Sequence, residues 1–235
     1  KAEESLAELG KVFSLGDIVH NRVEVQRLEK LGLETIAHSH FPELDGQTVL
    51  IRAHGIARSV QQELERSGAE IVDATCPKVK HIHNIVSEAT AEGRFVIIIG
   101  MRRHPEVEGI CGWCGEHMVF ETAAELETWL NQNPDFWDKP LSVVVQTTQT
   151  HGNFTECCNI LKKRCTNLKI SDTICTATSA RQQEAEKLAS ECDAMVVIGG
   201  KHSANSLHLA QICSEHCGLV QFIEKCDELD MDKVT

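Results

Sequence analysis

Two kinds of hydrophobic pattern alternate along the chain. Short apolar runs rich in β-branched residues (KVFSL, ETIA, TVLIRA, EIVDA, RFVIIIG, HMVFE, LSVVVQ, LKISD, AMVVIGG and LVQFIE) are separated by stretches with helical spacing such as VEVQRLEKLG and SARQQEAEKLASE. Runs that are apolar on both faces and alternate with helices predict parallel sheets covered by helices, an α/β fold. The most turn-like stretch is NQNPDFWDKP, residues 131–140, and no low-complexity segment interrupts the pattern.

Composition narrows the class. A chain of 235 residues with 42% hydrophobic residues can fill the core of one large α/β domain or of two to three small ones. No apolar run approaches the roughly 18 to 20 residues that span a bilayer. The opening KAEESLAELG has neither the basic flank nor the apolar centre of a signal peptide. It reads as the middle of an amphipathic helix, without an initiating methionine, so a truncated chain is expected. The net charge of −12 argues against nucleic acid, which is held largely by clustered Lys and Arg, whereas a small anionic ligand needs only a few local donors. Eleven cysteines, an odd number in a chain with no export signal, point to metal or redox chemistry rather than a disulfide framework.

A weak internal repeat organises the candidate chemistry. Glycine at a strand end is followed four residues later by a polar, ligand-type residue three times: Gly16 then His20, Gly100 then His104, Gly199 then Ser203. Later in the first two units a strand ends in Asp-x-x-Cys, giving Asp73 and Cys76, then Asp172 and Cys175. Between these marks each of those units carries a further strand with a polar exit, His54 in the first and Thr147 and Thr148 in the second. In parallel α/β sheets ligands gather beyond the carboxyl ends of the strands. Three units about one centre would aim His20, His54, Cys76, His104, Glu106, Thr147, Cys175, Ser203 and Asn205 at a single cavity.

Each of these residues has a plainer use. Cys76 and Cys175 can be buried, inert thiols. As a matched pair they suit a metal centre that a third, equivalent ligand completes, such as an iron-sulfur cluster with one iron open. His104 and Glu106 of HPE can be a solvated surface loop, or an acid whose pKa is raised by burial. His20 with Asn21, His54, and Ser203 with Asn205 can cap helices or bind an oxyanion. CGWC at 111–114 has the spacing of a redox motif or half a zinc site, with no second pair to complete it. Cys157, Cys158, Cys165, Cys213 and Cys217 fall in helical patterns and read as packing residues.

Taken in order, VHN at 19–21, AHG at 53–55, DATCP at 73–77, HPEVEG at 104–109, QTT at 146–148, IC with AT and RQ between 174 and 182, and the SxNS at 203–206 resemble the 4-hydroxy-3-methylbut-2-enyl diphosphate reductase family (IspH/LytB). The resemblance covers essentially the whole chain. It implies three α/β domains in a pseudo-threefold trefoil, here 1–76, 77–173 and 174–235, the first short at its start and the third incomplete at its end. It also implies a 4Fe-4S cluster with three cysteine ligands, two of them Cys76 and Cys175 and the third upstream of this chain. His20, His54, Ser203 and Asn205 match the diphosphate-holding positions, and His104, Glu106 and Thr147 the substrate-hydroxyl and proton-delivery network. The implied activity is reductive dehydroxylation of 4-hydroxy-3-methylbut-2-enyl diphosphate to isopentenyl and dimethylallyl diphosphate, the last step of the methylerythritol phosphate pathway, in the bacterial cytoplasm. Reduced ferredoxin or flavodoxin would supply electrons; no nucleic acid or membrane partner is implied, and the 235-residue chain alone is expected to be inactive. Arg102 and Arg103 bring unusual charge to the approach to His104, while Ala180 and Ala204 stand where the family usually has Asn and Ser. The alternatives are a non-catalytic relative that binds a diphosphate or metal, and a thiol or zinc protein built on CGWC.

Overall fold

The structure, a computed structural model, describes residues 2–19, 21–36 and 44–233. Among the described residues there are three parallel sheets, and each of the ten apolar runs of the sequence contributes a strand. The first unit opens with α1 (Ala2–Leu9), β1 (Val12–Leu15), α2 (Arg22–Lys30) and β2 (Leu33–Ile36), and continues with β3 (Thr48–Ile51), α3 (Arg58–Arg66) and β4 (Glu70–Asp73). Its sheet order is β2-β1-β3-β4. After α4 (Pro77–Ala91) the second unit repeats the plan with β5 (Phe95–Ile99), α5 (Pro105–Cys111), β6 (His117–Phe120), α6 (Ala123–Gln132), β7 (Leu141–Val145), α7 (His151–Arg164) and β8 (Leu168–Ile170). Its order is β6-β5-β7-β8, the same topology. The third unit holds α8 (Thr176–Glu191), β9 (Met195–Ile198), α9 (Ala204–His216) and β10 (Val220–Ile223), with β9 and β10 paired in parallel.

Burial explains why the strand runs are apolar on both faces. Val96, Ile97, Ile98 and Ile99 of β5 are all fully buried. Side chains alternate across a strand, so Ile97 and Ile99 join Phe120, Leu126, Phe154 and Leu161 on one face, while Val96 and Ile98 join Ile82, Val86, Val107 and Ile110 on the other. Each such side chain contributes about 1.5–3 kcal/mol of burial free energy. Sheet one divides in the same way, with Val49 and Ile51 facing one cluster and Leu50 the other.

Helix α4 packs on the middle sheet, and α8 packs against α9 and the third sheet. The first two units meet at CGWC, which closes α5. The Trp113 indole N–H donates to the Ile56 carbonyl at 2.9 Å, and its ring stacks on His83 at 5.1 Å. Gly112 lies so close to Ala57 that a side chain there would overlap it. Burial pushes the Cys111 thiol up to about 11 and the Cys114 thiol up to about 12, so neither is poised as a thiolate. CGWC is therefore a packing corner. All eleven cysteines are free, and Cys157, Cys158, Cys165, Cys213 and Cys217 are buried.

Candidate functional site

In a parallel sheet every strand delivers its carboxyl end to the same edge, and the repeated glycines mark that edge. Gly16 follows β1, Gly100 follows β5 and Gly199 follows β9, the first strand of each unit. At Gly100 the requirement is close approach. A Cβ there would come within 2.8 Å of the Gln146 Cβ, on the loop that leaves the neighbouring β7.

Both Asp-x-x-Cys segments fold alike. The Asp73 carboxylate accepts the Thr75 backbone N–H at 2.8 Å, and the Asp172 carboxylate accepts that of Ile174 at 3.1 Å. This tight turn sets Cys76 at the start of α4 and Cys175 at the start of α8, with similar backbone angles (φ −55°, ψ 134° and φ −69°, ψ 129°) and no side-chain cap. The Cys76 N–H donates to the Ala53 carbonyl at 3.0 Å and the Cys175 N–H to the Thr147 carbonyl at 2.9 Å, so each thiol is anchored to the loop of the adjacent strand. Both are half-buried at helix N-termini.

His104 caps α5. Its Nδ1 accepts the Glu106 backbone N–H at 3.2 Å, which leaves Nε2 as the donating nitrogen of the neutral ring. Pro105 occupies the first helical position, where its missing N–H costs nothing. Glu106 is only 2% exposed. The Thr147 backbone N–H donates to its Oε1 at 2.7 Å and the Thr147 hydroxyl to its Oε2 at 2.6 Å. Burial raises the Glu106 pKa above the ordinary carboxylate value, and the two Thr147 bonds oppose that rise without cancelling it. The His54 ring stands edge-on to His104, 5.3 Å between centroids.

A cavity of about 420 Å3 joins these groups, lined by His54, Cys76, His104, Glu106, Thr147, Cys175, Ser203 and Asn205 from all three units. His20 lies outside the described residues, although its neighbours Val19 and Asn21 line the same cavity. Asn21 also caps α2, its side-chain oxygen accepting the Val23 and Glu24 N–H groups at 3.1 and 3.2 Å. Ser203 caps α9 through the Ser206 N–H while still facing the cavity. The Asn205 Oδ1 is buried with no hydrogen-bond partner among the described residues, a polar end that a bound polar ligand would satisfy.

Arg102 does not crowd His104. Its side chain turns away to the Val119 carbonyl and to Glu121 and Glu125. Lys78, outside every quoted motif, also lines the cavity, as do Thr178 and Ser206, which lie in the AT and SxNS segments but were given no role in the sequence. The signal for each was position: Lys78 lies two residues after Cys76, Thr178 three after Cys175, and Ser206 one after Asn205.

Comparison with known proteins agrees with this arrangement. The sequence model of the LytB protein family matches residues 1–235. The chain is 40% identical over 233 residues to the 4-hydroxy-3-methylbut-2-enyl diphosphate reductase of Aquifex aeolicus, an alignment covering 97% of this chain and 78% of that protein. It is 36% identical to the enzyme of the same name from Clostridioides difficile, covering 94% of this chain and 77% of that one. Among solved structures, an (E)-4-hydroxy-3-methyl-but-2-enyl diphosphate reductase described as the terminal enzyme of the non-mevalonate pathway aligns with TM-score 0.70 and 38% identity, over 98% of this chain and 81% of its own. The Plasmodium falciparum E-1-hydroxy-2-methyl-but-2-enyl-4-diphosphate reductase aligns with TM-score 0.87 and 26% identity, over 99% and 73%. With a family match along its full length and the ordered motifs brought to one cavity, this chain belongs to the LytB family.

Proposed function

We propose that this chain carries the active site of a 4-hydroxy-3-methylbut-2-enyl diphosphate reductase, which removes the allylic hydroxyl with two electrons and two protons to give isopentenyl or dimethylallyl diphosphate and water. The observation that carries this reading is the buried Glu106–Thr147 pair facing the same cavity as Cys76, Cys175, Ser203 and Asn205. The same reading divides the chain into units 1–76, 77–173 and 174–235 and places it in the cytoplasm.

The donor set fits a 4Fe-4S cluster in kind. Cys76 and Cys175 are equivalent soft ligands on equivalent turns; they are two of the three that a cluster with one open iron needs, and no group of three or more His, Cys, Asp or Glu among the described residues is placed to hold a metal ion by itself. They would hold the cluster together with the third cysteine that the family resemblance puts upstream of Lys1. When bound, it supplies an open iron as Lewis acid for the substrate hydroxyl and the path for electrons from reduced ferredoxin or flavodoxin.

The chain's own residues do the rest. His20, His54, Ser203 and Asn205 hold the diphosphate, by His, Ser and Asn side chains and helix N-termini rather than a basic surface. Burial favours the protonated form of Glu106, in which the 2.6 Å bond to Thr147 is turned round: the Glu106 Oε2–H donates to the Thr147 hydroxyl, which passes its own proton to the leaving oxygen, so the C–O bond breaks with water as leaving group. His104 orients that hydroxyl through Nε2–H. The second proton adds at one or other end of the allyl unit, which accounts for two products.

The test is anaerobic turnover of the substrate by the full-length protein with a reduced carrier. Formation of both products, lost in Glu106→Gln, supports the reading; a protein that loads the cluster and binds diphosphate but forms no product is a non-catalytic relative instead.

A further inference from the structure

The turn that carries Thr147 is held from the third unit by two side chains to which the proposed chemistry gives no role. His208, on α9, reaches the Thr148 carbonyl with Nδ1 at 2.6 Å. A carbonyl only accepts, so Nδ1 carries the proton and donates. Gln182, on α8 and 5% exposed, donates from Nε2 to the Gln149 carbonyl at 3.2 Å, with the Thr148 carbonyl at 3.5 Å. From inside the second unit, Gln146 donates to the Thr148 hydroxyl at 3.0 Å and accepts the Met101 N–H at 2.9 Å. Residues 146–149 are thus pinned from two sides, and Thr147, in the middle, meets Glu106.

Helix α9 touches the site twice. Its first turn, Ser203 to Ser206, lines the cavity, and one turn later His208 grips the Thr147–Thr148 loop. We infer that His208, seconded by Gln182, is a positioning residue that sets the Thr147 hydroxyl against Glu106 and ties proton delivery to the helix whose start faces the diphosphate. This rests on the reading above, in which Thr147 relays the proton. Displacing a relay hydroxyl by even 1 Å can cost on the order of a hundredfold in rate.

The test uses the full-length holoprotein and three variants. In His208→Ala the donor is lost, while in His208→Asn the amide nitrogen replaces Nδ1. The expected result for His208→Ala is a fall in kcat of about ten- to a hundredfold, a solvent isotope effect on kcat larger than that of the unsubstituted protein, and both KM and the affinity for inorganic diphosphate within about twofold, the limit below which uniform binding is intact. His208→Asn should recover most of kcat. Equal losses in both variants, an unchanged kcat in His208→Ala, or a loss of diphosphate affinity that parallels kcat would each overturn the inference. Thr147→Val separates this from failure of the parent reading. If Thr147→Val is slow and His208→Ala is not, only the positioning role falls; if Thr147→Val keeps full activity, the relay itself falls and the inference with it.

Discussion

Thr147 meets both oxygens of the Glu106 carboxyl, its backbone N–H on Oε1 and its hydroxyl on Oε2. The two residues come from different strand ends of the second unit, so the pair exists only when β5 and β7 are in register. Replacing Glu106 with Gln keeps the shape and removes the exchangeable acid. Turnover should fall by roughly 10²–10⁴, the usual contribution of a positioned acid, with the cluster's absorption spectrum unchanged. Thr147→Val removes the hydroxyl but not the backbone bond, and its kcat should fall about tenfold or more at unaltered cluster content.

The raised pKa of Glu106 makes two pH predictions of definite sign. In the proposed reaction turnover requires the protonated acid, so kcat should fall as pH rises through the Glu106 pKa, which lies above the ordinary 4.5. For stability, the folded state favours the protonated carboxyl more than the unfolded chain does. That contribution is complete below the ordinary value and is lost as pH rises through the folded one. Chemical denaturation across the range should therefore show Glu106→Gln gaining stability over the unsubstituted protein towards alkaline pH; a constant difference would contradict the assigned burial effect.

His83 behaves in the opposite sense. It is buried beneath Gly55 and stacked on Trp113, and desolvation lowers its pKa from 6.5 to about 4. Below pH 6.5 the unfolded chain takes up a proton that the folded one refuses, so stability is lost as pH falls from 6.5 to about 4. The full loss is roughly 3 kcal/mol, because a tenfold difference in proton affinity between the folded and unfolded chain is worth about 1.4 kcal/mol. His83→Leu should lack this segment of the pH–stability curve, whatever its absolute stability.

Metal content separates the two cysteine pairs. After anaerobic reconstitution of the full-length protein, about four irons per chain are expected. Cys76→Ser or Cys175→Ser should lose most of that iron and its acid-labile sulfide. Cys111→Ala with Cys114→Ala should retain it, at a cost in stability alone. The reverse result would return the chain to the thiol or zinc reading of CGWC.

The packing corner itself can be tested at Gly112. A methyl group there would overlap the backbone and side chain of Ala57 across the junction of the first two units. Gly112→Ala should destabilise the fold by about 1–3 kcal/mol, as overpacking does, measurable as a lower denaturation midpoint.

How much of this could be read from the sequence depended on range. The ten strands were legible because a strand buried on both faces must be apolar throughout, as Val96 to Ile99 are. The matched turns were legible because Asp73 and Asp172 act within two residues of their partners. Longer-range geometry was not. Arg102 looked like a charge beside His104, but its direction is set by Glu121 and Glu125 beyond the next strand. His208 belongs to no motif and Gln182 only closes the RQ pair, and the role of neither was legible because their partners are backbone carbonyls 60 and 33 to 34 residues away. Lys78 hid behind the more distinctive Cys76.

The bonds from Cys76 to Ala53 and from Cys175 to Thr147 run from main chain to main chain. A main-chain anchor carries no requirement for any particular side chain, since every residue offers a carbonyl and every residue but proline an N–H. Mutational drift can therefore rewrite much of the surrounding surface while the two thiols keep their places. That latitude is compatible with relatives only 36–40% identical to this chain that still align along nearly all of it.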